Sequence, residues 1–273
     1  MTWTTFRIVP GAGREAVCRV LFAAGAQALQ EDGAALITSF PPGTDLVAVR
    51  RAVKVADGTA MIATSDLPDI DWSEAWKARL TAHAVGGLTI TPPWLAHEHD
   101  PATSIIIDPG MAFGTGDHPT TRGVLRLLRQ FVRPGMVVAD LGAGSAALAI
   151  AAAKLGAGRV AAVELDPDAI ENAIENTVVN GVADRVQVIE GDALALLPLL
   201  APVDLVLANI ISSVLIPMLP GIAAALPAGG CAILSGLLVE EQPQMRRIFT
   251  DGGWREVAVD EEADWWSVAI QRP

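Results

Sequence analysis

The sequence predicts an α/β protein, a mostly parallel sheet with helices on both faces, preceded by a small α+β unit. Three observations carry that prediction. Between Met136 and Asp192, short apolar runs alternate with helical runs, the pattern of successive βαβ units. From Leu205 to Val239 no residue is charged, as expected where strands of a doubly covered parallel sheet are buried. Residues 1–57 compress strand, helix, strand and helix patterns into a piece too short for a second large domain. With 273 residues, 51% of them hydrophobic, the chain can bury a sizeable core without disulfides or metals.

Taken in order, Thr5 to Val9 reads as a strand and Gly13 to Ala24 as a helix with Val17, Val20 and Leu21 on one face. After the Glu31-Asp32-Gly33 turn, Ala34 to Ser39 reads as a second strand and Asp45 to Val55 as a second helix, giving a split βαβ, ferredoxin-like unit over 1–57. Its six Lys/Arg nearly balance its five acids, so the net charge of −12 belongs to the remainder. Residues 58–71 read as a linker and 72–273 as the larger domain. Trp72 and Trp76 are four apart and share one helix face, a hydrophobic anchor at the junction. Leu88 to Thr91 reads as a strand, and the polar cluster His97, Glu98, His99 and Asp100 as a solvated loop rather than a metal site.

Ile105 to Ile107 reads as a short strand that runs into DPGMAFGTGDHPTT, residues 108–121. Three glycines and two prolines permit an irregular backbone there, and such a loop is costly to order unless it has a task. The helix that follows, Thr120 to Phe131, turns Val124, Leu125 and Leu128 inward and is expected to leave Arg122, Arg126, Arg129 and Arg133 as a solvated face.

The next stretch has the most chemistry in it. Met136 to Ala139 reads as a strand ending at Asp140; Gly142 and Gly144 follow, and Ser145 opens a helix to Leu155. A strand, glycine turn and helix N-terminus bring backbone N–H groups close to a polar or anionic ligand. A second strand, Val160 to Val163, ends in Glu164, 22 residues after Gly142, where a carboxylate can accept from both hydroxyls of a ribose. Asp166-Pro167 caps the next helix, which ends at Asn180-Gly181; a third strand, Val186 to Ile189, ends at Glu190-Gly191-Asp192. Beyond it come a strand at 205–208, a helix at about 213–226, a turn at Pro227-Ala228-Gly229-Gly230 and a strand at 231–235. The prolines and glycines break up the charge-free segment, which argues against a membrane span.

The two cysteines, Cys18 and Cys231, lie far apart and are expected to be buried free thiols in a reducing compartment. The N-terminal MTWTTFRIVPG has no basic segment followed by an apolar core, so no secretory signal is expected and the protein is placed in the cytoplasm. An acidic surface repels phosphates and suits a basic protein partner, so no direct nucleic-acid binding is expected.

GAGSAA by itself satisfies a dinucleotide-binding pattern with Ala in the last place, and a nicotinamide-dependent oxidoreductase is the alternative it raises. The wider constellation points elsewhere. DPGMAFGTGDHPTT, DLGAGSAALAIAAAKLGA, ELDPDAIENAIENTVVNG, ANII and PAGGCAILSGLL, in this order, resemble the ribosomal protein L11 methyltransferase (PrmA) family. DWSEAWK and the small N-terminal unit resemble it too, so the likeness spans nearly the whole chain.

The resemblance implies a Rossmann-like methyltransferase sheet of seven strands, with an antiparallel edge formed by Arg255–Val259 and Trp266–Ile270. It implies S-adenosylmethionine as cofactor, with contacts from Thr121, Gly142, Glu164 and Asn209, from the Phe113, Gly114, Thr115 and Gly116 loop, and from Gly144 and Asp192. It implies methyl transfer to lysine or N-terminal amines of ribosomal protein L11, with the N-terminal unit recognising that protein and the enzyme acting as a monomer. A lysine methyltransferase with another protein target is the alternative within the class. Three departures from the family pattern stand out: Asp117 where Thr is common, Ala146 for a glycine, expected to favour the helix, and Glu164 for an Asp. Asn209 is the expected catalytic residue, its carbonyl aiming the lone pair of the amine. His118 and Asp117 are the nearest candidate bases, with solvent as the alternative.

Overall fold

The computed structural model describes residues 3–26, 28–66, 80–108 and 116–272. The chain divides into two compact units, Met1–Arg79 and Leu80–Pro273. Trp72, Trp76 and residues 113–115 lie outside the described residues.

The first unit runs β1 (Thr4–Val9), α1 (Arg14–Ala23), β2 (Gln30–Asp32), β3 (Ala35–Phe40), α2 (Leu46–Ala56) and β4 (Met61–Asp66). Its sheet has the order β2-β3-β1-β4, with every neighbouring pair antiparallel. Alternation along β1 turns Phe6 and Ile8 toward Val17 and Leu21 of α1 and Val49 and Val53 of α2. Asp45 caps α2 by accepting from the Val47 and Ala48 amides. At the other end of that helix, Asp57 accepts from the amides of Gly11 and Gly13 and from Thr59. The Thr59 hydroxyl first, then the Gly13 amide, hold its carboxyl down to about 2.

The linker expected at 58–71 is corrected here: its residues 61–66 are β4, which pairs along the whole of β1. Ala63, Thr64 and Ser65 are small and exposed, so the strand shows little apolar alternation. It exists because the edge of β1 needs partners for its backbone groups.

The second unit begins with a small sheet, β5 (His83–Val85), β6 (Leu88–Thr91) and β7 (Ser104–Ile106). Then follow α3 (Pro119–Phe131), β8 (Val137–Leu141), α4 (Ala147–Lys154), β9 (Arg159–Glu164), α5 (Pro167–Val179), β10 (Val186–Glu190), α6 (Ala193–Leu200), β11 (Leu205–Asn209), α7 (Ser212–Ala225), β12 (Cys231–Leu238), α8 (Gln242–Asp251), β13 (Arg255–Glu262) and β14 (Trp265–Gln271). The large sheet has seven strands in the order β10-β9-β8-β11-β12-β14-β13. Pairing is parallel from β10 to β12 and antiparallel through β14 and β13, which is the expected architecture, edge hairpin included.

Two hydrophobic clusters cover its faces: Val138 belongs to one, Ala139 and Leu141 to the other. Within the charge-free segment β11 and most of β12 are buried while α7 keeps an exposed face, and no described helix is long and apolar enough to cross a membrane. Both cysteines are free thiols; burial pushes Cys231 up to about 12, while Cys18 is only half-buried.

Arg122 and Arg126 are not the solvated face expected of α3. One turn apart, they reach the same stretch of β13. Arg126 pairs with both oxygens of Asp260, at 2.7 and 2.6 Å, and with Glu262 at 2.6 Å. Arg122 binds Glu262 and both the carbonyl and carboxylate of Asp117. Asp260 and Glu262 share one face of the strand by its two-residue period, a match that only the fold brings opposite the helix.

Hydrogen bonding to Arg122 above all, and then to Arg126, lowers the Glu262 carboxyl from 4.5 to about 2. Its ion pairs therefore stabilise the fold fully above about 4.5 and stop doing so as pH falls to about 2. Thermal unfolding of wild type and Glu262→Gln across pH should show a Tm gap at neutral pH that closes over that window. A gap unchanged at the acid end contradicts the ion-pair account.

Candidate active site

The site lies at the C-terminal edge of β8, β9 and β11, where the strand order of a doubly wound sheet opens a crevice. Gly142 and Gly144 take φ of +70° and +52°, so the chain leaves β8 in a tight turn that an L side chain resists. Gly142 and Ala143 both donate to the Val163 carbonyl, at 2.8 and 3.0 Å. A Cβ on Gly142 would lie 3.1 Å from Ile210, the residue after β11. Ile210 is itself fixed, its N–H donating to the Ser235 carbonyl at 3.1 Å.

Glu164 is tied into the turn. Its Oε2 accepts from Gly144 N–H at 2.7 Å, and its Oε1 from the amides of Leu165 and Asp166 at 2.8 and 2.9 Å. A carboxylate has about four acceptor positions, so the backbone takes three and one remains, on Oε2. The extra methylene relative to Asp lets the side chain fold back onto its own backbone. Gly191 N–H donates to the Glu164 carbonyl, and Asp192 caps α6 through Leu194 N–H at 2.9 Å.

Ala146 is the N-cap of α4, with φ of 63° and no side-chain cap. The expectation that alanine favours the helix here is corrected: the residue sits outside it in the left-handed region, where a Cβ costs about 1 kcal/mol or more.

Asn209 ends β11. Its Nδ2 donates to Thr120 Oγ1 at 3.1 Å and to Thr121 Oγ1 at 3.5 Å, both threonines being buried in the first turn of α3. Asp117 and His118 are engaged otherwise. Asp117 bonds Arg122 at 3.0 Å and His83 at 3.1 Å, and His118 Nδ1 caps α3. Neither is placed as a free base. Gly116 packs against Ile90.

Two groups escaped the sequence reading. The first is Asp140, 1% exposed, with neither carboxyl oxygen hydrogen-bonded among the described residues. Burial pushes it up to about 7; the Ala149 N–H opposes the rise without completing a hydrogen bond, and Glu164 adds to it. An acid at the buried end of a central strand was the available signal. The second is the ladder Asn172, Asn176 and Asn180, at helical spacing on α5. Asn180 exchanges two hydrogen bonds with Ile106, and Asn176 exchanges two with Asp108 while donating to the Ser145 carbonyl. The side-chain amides act as a surrogate strand that fixes both the entry to the 108–121 segment and the glycine turn.

A seven-stranded sheet of this order, with a glycine turn after β8, an acid at the end of β9 and Asn209 at the end of β11, defines a Rossmann-like methyltransferase. Comparison with known proteins narrows the class. Residues 18–273 match the family described as ribosomal protein L11 methyltransferase (PrmA). The ribosomal protein L11 methyltransferase of Chloroflexus aurantiacus is 40% identical over 236 residues, covering 78% of this chain and 72% of its own. That of Geobacter sulfurreducens is 38% identical over 246 residues, covering 86% and 80%. The crystal structure of ribosomal protein L11 methylase from Lactobacillus delbrueckii subsp. bulgaricus superposes with a TM-score of 0.62 at 29% identity, covering 68% of this chain and 95% of that one. The chain belongs to the ribosomal protein L11 methyltransferase family and is an S-adenosylmethionine-dependent methyltransferase; the oxidoreductase alternative falls.

The residues fit that cofactor. Its sulfonium and ammonium are cationic, and the crevice offers the orphaned buried carboxyl of Asp140, the remaining acceptor of Glu164, and a glycine backbone with no Cβ in the way. Two outcomes follow. Glu164→Ala should weaken S-adenosylmethionine binding by about 1.5–3 kcal/mol, through the lost charge-assisted bond and the untied turn; unchanged affinity by calorimetry in a folded variant contradicts the assignment. For Asp140 the folded carboxyl titrates near 7 against 3.8 unfolded, so the native state binds the extra proton and stability falls as pH rises through that window. Without cofactor, Asp140→Asn should gain Tm over wild type between those pH values and hold the gain above them; parallel curves would show that the carboxyl does not titrate there.

Proposed function

We propose that this enzyme methylates amino groups of ribosomal protein L11, lysine side chains and the N-terminal α-amine, with Asn209 aiming the amine and the unit Met1–Arg79 holding the protein. The setting is the cytoplasm. The observation that carries the reading is the posture of Asn209: with Nδ2 held by Thr120 and Thr121, its Oδ1 is the acceptor that remains. Thr121, Gly142, Gly144, Glu164 and Asp192 hold the cofactor around it.

The bound cofactor supplies an electrophilic methyl on its sulfonium. The chain's own residues supply position, which is worth about 7 kcal/mol or more when alignment is good. Asn209 Oδ1 accepts from an amine N–H and directs the lone pair. A lysine titrates near about 10.4 and an α-amine near about 8, so the amine must arrive deprotonated. With Asp117 and His118 engaged as described, solvent takes the proton.

Mass spectrometry of purified ribosomal protein L11 after incubation with enzyme and labelled cofactor tests the reaction: label should appear on lysine or α-amine nitrogen, and its absence sinks the proposal. A chain beginning at Leu80 keeps both cores of the larger unit and every described cofactor residue. It should bind S-adenosylmethionine as the full chain does and lose methylation of the protein at ordinary concentration, because tethering no longer raises the local amine concentration. Equal methylation by both chains would remove the reader role from the first unit.

A further inference from the structure

We infer that Thr120 is a positioning residue for methyl transfer: its hydroxyl, set between His118 and Asn209, fixes which end of the Asn209 amide faces the incoming amine. The inference rests on the reading of Asn209 as the acceptor for that amine.

Thr120 is 2% exposed and held from several sides. Its carbonyl accepts from Ser235 Oγ at 3.2 Å, and Ser235 is hydrogen-bonded to Ser267 at 2.7 Å, both serines being buried. His118 caps the helix, its Nδ1 accepting from the Thr120 N–H at 3.4 Å. The same Nδ1 lies 2.8 Å from Thr120 Oγ1. In the tautomer in which Nδ1 caps the helix it carries no proton, and between Nδ1 and the hydroxyl the hydroxyl is then the donor.

A hydroxyl has one hydrogen. With that hydrogen committed to His118, Thr120 Oγ1 can only accept from Asn209, 3.1 Å away. The amide atom facing it must be Nδ2, and Thr121 Oγ1 adds a second acceptor on the same side at 3.5 Å. Oδ1 is therefore turned away from the threonines. The opposite orientation would offer an N–H donor to the amine and engage the lone pair that has to attack. Nothing in Asn209 itself selects between the two orientations, since its amide is nearly symmetric in shape; Thr120 does.

The test is steady-state kinetics of full-length Thr120→Val, Thr120→Ser, Asn209→Ala and the double variant, with ribosomal protein L11 as substrate. Thr120→Val keeps the shape and removes the hydroxyl, and should lower kcat by about ten- to a hundred-fold, the range expected of a misaimed group, with cofactor affinity little changed. Thr120→Ser should restore most of the turnover. In an Asn209→Ala background, Thr120→Val should cost nothing more, because both act through one amide. Wild-type kcat in Thr120→Val, no rescue by serine, or additive losses each overturn the inference. If Asn209→Ala loses turnover and Thr120→Val does not, this inference alone fails; if Asn209→Ala turns over like wild type, the acceptor reading falls with it. Should the valine variant not fold, hydrogen exchange of the Asn209 side-chain amide in the unaltered protein decides: slow exchange supports tethering through Nδ2, and fast exchange overturns it.

Discussion

The hydrogen bonds that tie the end of β8 to the end of β9 are the constraint on which the rest of this site depends. Gly142 and Ala143 donate to Val163, and Gly144 to the Glu164 carboxylate. They force the chain to reverse within three residues, which needs left-handed backbone at Gly142 and Gly144. The reversal brings Gly142 against Ile210 and closes the end of β8 over Asp140. A carboxyl buried without a partner is expensive. The fold tolerates it because packing of the surrounding sheet over-determines the position, and a cationic group brought to it would relieve the cost.

Much of this was legible in the sequence, for physical reasons that can be named. A parallel strand covered on both faces must be apolar throughout, so β8, β9, β11 and β12 announce themselves, and the acids and glycines that end them mark the crevice. Glu164 and Asn209 were readable because they sit where an apolar run stops. The pairs of Arg122 and Arg126 with Asp260 and Glu262 were not, because those acids are 134–140 residues away in the chain and periodicity reports only which face a residue shares, not what that face meets. β4 was missed for the opposite reason: an edge strand needs backbone partners more than side-chain pattern, and Thr64 and Ser65 look like a loop.

The asparagine ladder on α5 falls between these cases. Asn172, Asn176 and Asn180 recur every four residues, a spacing visible in the sequence, yet asparagine at the end of a helix reads naturally as a stop signal. Here Asn176 and Asn180 have turned their amides to backbone groups 68–74 residues away. Side-chain amides carry a donor and an acceptor in the same relation as a peptide group, so a row of them on a helix can pair with an extended segment as a strand would. The 108–121 segment thus starts from a fixed point at Asp108.

Under the role proposed for Asn209, the choice of an amide at that position has a physical rationale. A carboxylate there would bind the amine more strongly, but it would favour the protonated, unreactive form and raise the amine's pKa. That stabilises the ground state and slows the reaction. An amide oxygen accepts a hydrogen bond from the neutral amine without paying that penalty, and its dipole still favours the positive charge that develops on nitrogen as the methyl arrives. The acidic side chains nearest the site lie elsewhere, Glu164 at the end of β9 and Asp192 at the cap of α6, and burial favours the neutral form of Asp140. An amide has a cost of its own, since either end can face the substrate and only one is productive. A site built this way needs a neighbour with a fixed hydrogen-bond polarity, and a threonine whose single proton is already given to a histidine is such a neighbour.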